Sequence, residues 1–141
     1  MKGINTLIKL SKRELDTLRR DMASLETQKA QLQEATKKLA EDLLREQELA
    51  SKQPEMGAFF GGFAARIKKR QEEIAAEIKK LDEKVRVLNE KIMVAFGELK
   101  KYEVAKENAI KREEEKQKRI ETIMLDEIAS QQFHRKHTEN N

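Results

Sequence analysis

The chain has 141 residues, enough for one domain, yet it is 40% charged and 4% aromatic with no tryptophan, a composition that argues against a wide globular core. Its net charge of +4 is dispersed over alternating acidic and basic positions, without the concentrated basic face and stacking aromatics of a nucleic-acid binder. Cysteine is absent, which removes disulfides and thiol–zinc sites.

At the amino terminus, Ile4, Leu7, Ile8 and Leu10 are interleaved with Lys2, Asn5, Thr6 and Lys9, so no apolar run of signal-peptide length forms. No later window approaches the ~20 apolar residues of a membrane span. These patterns predict a cytoplasmic protein whose membrane contact is at most peripheral.

The spacing predicts a first helix over about 4–50. Ile8, Leu15, Met22, Lys29, Thr36 and Leu43 form one row of a seam, and Leu18, Leu25, Leu32 and Leu39 form the other. Steps of three and four residues put both rows on one narrow face, which needs a partner helix. Lys29 and Thr36 interrupt the apolar rows. Lys29 either snorkels at the rim of a thin interface or, with Thr36, fixes register and partner choice.

A break is expected over about 51–63, where Pro54 cannot continue a helix and Gly57, Gly61 and Gly62 loosen the backbone. The same segment holds Phe59, Phe60 and Phe63, three of the five phenylalanines. They either staple the turn or stand out as an anchor for another protein. The basic run Arg66, Lys68, Lys69 and Arg70 beside them also permits a contact with anionic lipid.

A second helix follows over about 64–132, with Ile74, Ile78, Leu81, Val85, Leu88, Ile92, Ala95, Leu99 and Tyr102 on its seam. The predicted fold class is therefore all-α: two long helices in an antiparallel coiled-coil hairpin, one domain, the second helix longer. At ~1.5 Å per residue the two arms measure about 70 Å and about 100 Å. Folding back near Met56 sets Leu43 opposite Lys69, Leu18 opposite Val94 and Ile4 opposite Asn108. Everything past about Ile110 then lacks a partner in its own chain, and the apolar seam lapses at Lys106, Glu113 and Lys116. The pairs Glu107–Lys111, Glu114–Lys118 and Glu115–Arg119 suit a solvated single helix. Beyond them Ile120, Ile123, Met124, Leu125 and Ile128 form a new apolar cluster, to be covered by the chain's own amino terminus or by another protein. Residues 133–141 are expected to be a disordered tail.

No glycine-rich loop leads into Gly-Lys-Ser/Thr, so the chain is not a P-loop ATPase. His134 and His137 lie three residues apart in a charged tail with no carboxylate or thiol cluster behind them. A two-helix rod supplies no walled, desolvated site, so no enzymatic activity, metal or cofactor is expected.

The opening Leu7-Ile8-Lys9-Leu10-Ser11-Lys12-Arg13-Glu14-Leu15-Asp16, the stretch Phe96-Gly97-Glu98-Leu99-Lys100-Lys101-Tyr102-Glu103 and the closing Leu125-Asp126-Glu127-Ile128-Ala129 resemble the FliJ family over nearly the whole chain, most of all its alphaproteobacterial-type members. The resemblance implies a soluble component of the bacterial flagellar type III protein-export apparatus. It implies a coiled-coil stalk, similar to that of rotary ATPases, which enters the hexameric export ATPase and promotes its activity. It also implies contact with the membrane-embedded export gate and with export chaperones, at the cytoplasmic face of the inner membrane. Carried onto this chain, the ATPase-facing end would hold Ile4, Leu7, Ile8, Ile120, Ile123, Met124 and Ile128. The gate contact would use Phe59, Phe60, Phe63 and Ile67. The rival readings are the equivalent stalk of a virulence-type injectisome and a general coiled-coil chaperone or scaffold.

Overall fold

A computed structural model describes the backbone of residues 1–139 and the side chains of residues 1–138. Among them the chain forms two helices, α1 over Lys2–Lys52 (51 residues) and α2 over Pro54–Glu139 (86 residues), with no strand. It divides into two compact units: a hairpin unit, Arg13–Phe96, and a terminal unit in which Met1–Lys12 joins the chain from Gly97 onward.

In the hairpin unit α1 and α2 run antiparallel, and burial follows the expected seam. Leu15, Ile74, Leu81 and Ala95 are buried, while Leu18, Met22, Leu25, Leu32, Leu39, Leu43, Ile78, Val85, Leu88 and Ile92 are half-buried. Ile74, 1% exposed, is the most deeply covered of them. Two helices shield each seam residue from two directions at most, so half-burial is the normal state of this core. Off the seam, Leu44 is 63% exposed.

The register agrees with the fold-back count. The rule that sets Leu18 opposite Val94 places Lys29 opposite position 83, and Lys29 Nζ meets the neighbouring Asp82 carboxylate at 2.7 Å. Both side chains keep part of their surface in water, so the pair contributes about 0–1 kcal/mol. It is nonetheless polar and directional where the leucines are not. On the outer face of α2 the Arg86 guanidinium donates to Glu83 (2.6 Å) and Glu90 (2.9 Å). Hydrogen bonding to Arg86, with its charge second, holds the Glu83 carboxyl below the usual carboxylate range.

The expected break over 51–63 shrinks to one residue, Gln53, and the second helix begins at Pro54 rather than near 64. The cause is positional. The first amide of a helix has no intrahelical acceptor, and proline, which lacks that amide and already has helical φ, is well placed there. The Gln53 amide donates to the Leu49 carbonyl (3.0 Å), closing α1, and the Gln53 carbonyl accepts from Met56 (3.0 Å), opening α2. Gly61 and Gly62 stay helical because Phe60, Phe63, Ala64 and Ile67 on either side are half-buried or buried. Tertiary packing outweighs their poor helix propensity.

In the terminal unit Ile8, Ser11 and Leu99 are buried, and Ile4, Tyr102, Lys106, Ala109 and Ile110 are half-buried. Ser11 continues the row of Leu18 and Leu25 at the same seven-residue interval. The expected disordered tail is also corrected: helix α2 continues to Glu139, and positions 140–141 lie outside the described residues. The Phe133 ring stacks on His137, centroids 5.3 Å apart, one turn along this last stretch.

Ile74→Ala should lower unfolding free energy by about 2–5 kcal/mol in urea titration followed by circular dichroism, whereas Leu44→Ala should change it by less than about 0.5 kcal/mol. A Cβ at Gly61 or Gly62 meets no atom within 4 Å. Gly61→Ala and Gly62→Ala should therefore each raise stability by about 0.5–1 kcal/mol in the same titration.

Candidate functional site

Along the hairpin unit there are open troughs between the helices. One, about 480 Å³, lies over Leu25, Val87 and Leu88 with Asp21, Glu83, Lys84 and Lys91 on its rim. It is shallow and fringed by charges of both signs, so water reaches all of it, and it offers no enclosed place for a reaction. Among the described residues no group of three or more histidine, cysteine or acidic side chains is positioned to hold a metal.

The informative surface is on α2 past Ile110. Every residue from 111 to 138 is exposed. Ile120, Ile123, Met124, Leu125 and Ile128 all face water, Ile123 being 64% exposed. The amino terminus does not bend over them. Of the two coverings that the sequence left open, the intramolecular one is absent from the structure. Phe133, assigned to the tail, joins this exposed series at 67%.

The two groups of candidate contact residues each divide. At the amino-terminal end Ile8 is buried and Ile4 half-buried, so these two hold the helices together, and Leu7 is the outward one. Leu10, 55% exposed, stands outward as well and joins Leu7 off the seam. Near the turn Ile67 is 5% exposed and belongs to the core, and Phe60 and Phe63 are half-buried. Phe59 alone stands clear, 75% exposed. The signal that separates them is phase: residues 60, 63, 64 and 67 continue the seam, and 59 does not.

Between Ile110 and Ile120 the helix supports itself less than the charge spacing predicts. Glu107–Lys111, Glu114–Lys118 and Glu115–Arg119 do not close. The side-chain contacts there are Gln117 to the Glu113 carboxylate (3.4 Å) and Arg112 to the Asn108 carbonyl (3.3 Å). A fully solvated pair gains a few tenths of a kcal/mol, about what ordering two long side chains costs. The basic side chains Lys116, Lys118 and Arg119 thus remain free to meet another surface.

No helix among the described residues is long and apolar enough to cross a membrane. The exposed segment should also be the first to open. Limited digestion with trypsin should cut between Lys111 and Arg119 before any site in 13–96, leaving a fragment that ends near 111. Earlier cleavage within the hairpin unit would contradict this ordering of local stability.

The sequence pattern of one family, described as Flagellar FliJ protein, matches residues 1–138. No curated protein and no solved structure matches the chain.

Proposed function

The chain belongs to the FliJ family and is a component of the flagellar protein-export apparatus, and on that premise we propose that the uncovered end of α2 is its docking element for the hexameric export ATPase. The observation that carries the reading is the complete exposure of residues 111–138 together with Ile120, Ile123, Met124, Leu125 and Ile128. An amphipathic helix laid into an apolar groove is a recurrent mode of recognition. Each large side chain covered contributes roughly 1.5–3 kcal/mol. The basic residues Lys116, Lys118 and Arg119 steer the encounter toward an acidic rim.

In this reading the protein acts as a stalk and performs no catalysis itself. One helix cannot touch six identical subunits equally. Those it touches are held in a different nucleotide state from those it does not, and the difference in contact energy promotes turnover. The hairpin unit links the ATPase to the export gate and the export chaperones at the cytoplasmic face of the inner membrane. Phe59 is the candidate anchor for the gate, with Phe60 and Phe63 supporting it. Arg66, Lys68, Lys69 and Arg70 are exposed beside it and suit a peripheral contact with anionic lipid. The flagellar description of the family favours this setting over an injectisome.

The test measures turnover of the cognate ATPase with the full chain, with a chain ending at Lys111, and with Ile123→Ala/Met124→Ala/Ile128→Ala. The full chain should stimulate. The truncation should not, and the triple variant should need at least roughly 10-fold more protein for half-maximal effect. Equal stimulation by all three removes this end of α2 from the mechanism. Phe59→Ala should leave stimulation intact and weaken binding to the gate protein.

A further inference from the structure

The exposed segment has an internal symmetry that the docking reading does not use. Its apolar cluster is centred on Met124, with Ile120 four residues before and Ile128 four residues after. The polar residues repeat the arrangement: Gln117 and Gln131 lie seven residues to either side, and Glu113 and Arg135 eleven. At 100° per residue all seven of these positions fall within about 40° of Met124 on one helix face. The spacing averages close to 3.67 residues per turn, which suits a nearly straight pairing.

We propose that the partner this face fits is a second copy of the same chain, laid antiparallel about a twofold axis through Met124. In that register Ile120 sits at the level of the partner's Ile128, and Met124 meets its own counterpart. Ile123 and Leu125 flank the axis on opposite sides, each nearest its equivalent. Gln117 comes level with Gln131 and can exchange amide hydrogen bonds. Glu113 comes level with Arg135, so unlike charges meet at both ends of the face. A parallel arrangement sets Glu113 against Glu113 and Arg135 against Arg135, and is disfavoured for that reason.

Antiparallel pairing about Met124 brings Thr138 of one copy to Ile110 of the other. Ile110 is the last residue of α2 that the chain's own α1 helps to cover. The second copy's overhang therefore takes up the seam where α1 leaves it. An interface related by a twofold axis needs one self-complementary surface, and this face has it in shape and in charge. Self-pairing and ATPase docking use the same residues, so each excludes the other, and the dimer is a masked form of the free protein.

The chain has no cysteine, so single replacements give unambiguous cross-links. The full chain, alone in solution, should show a monomer–dimer equilibrium in sedimentation from low to several hundred micromolar. In glutathione redox buffer Met124→Cys should form a disulfide dimer. Gln117→Cys alone should not, because the two copies of that position lie about 21 Å apart along the axis. An equimolar mixture of Gln117→Cys and Gln131→Cys should cross-link. Glu113→Arg should weaken the dimer by roughly threefold to tenfold, and adding Arg135→Glu should restore it. Circular dichroism of each variant verifies that the hairpin is folded. A chain that stays monomeric throughout overturns the proposal, and so does self-cross-linking of Gln117→Cys at the rate of Met124→Cys, which indicates parallel pairing. Neither result bears on ATPase stimulation, so the two readings fail separately.

Discussion

Burial among the described residues is confined, within each unit, to the line where α1 and α2 meet. There the side chains recur at alternating steps of three and four residues, and most remain half-wet. Such a core has length without depth. Stability accumulates position by position along it, and wherever a partner helix is lacking the accumulation stops. The exposed state of 111–138 follows from α1 running out of residues and requires no special feature of α2 itself.

That stop separates two kinds of apolar residue. Ile8 and Ile67 look similar to Ile123 in composition, but they sit in phase with a partner and are consumed by it. Ile120, Ile123, Met124, Leu125 and Ile128 come after the partner has ended. Phe59 is left over for a different reason, being one position out of phase beside Phe60. Surplus apolar surface thus arises in two ways, beyond the end of the seam and beside it. Membership of the FliJ family places the chain in the flagellar export apparatus.

The seam, the register and the overhang were legible in the sequence because all three derive from periodicity, and periodicity is a property of the residues alone. The Lys29–Asp82 contact falls within one residue of the fold-back count. The turn was not legible. Pro54 and three glycines spell a long break by local propensity, yet proline at the first helical position starts a helix as readily as it ends one, and only the placement of Gln53 between two closed hydrogen bonds decides which. Phe60 and Phe63 then keep Gly61 and Gly62 helical through packing that no local propensity encodes. The polar composition beyond 132 reads as the end of a helix, yet α2 continues through it to Glu139. The candidate contact residues were legible as a list but not as a set, since phase had to divide Ile4 and Ile8 from Leu7, and Ile67 from Phe59.

A joint of one residue also dictates how such a protein can grow. Gln53 leaves no slack, so an odd insertion near it swings every leucine on one arm away from the other, about 100° for each residue added. Lengthening the arms demands matched additions of whole sevens in both. Past Ile110 the exposed part of α2 has no facing arm of its own chain, and there turns can be gained or shed one at a time.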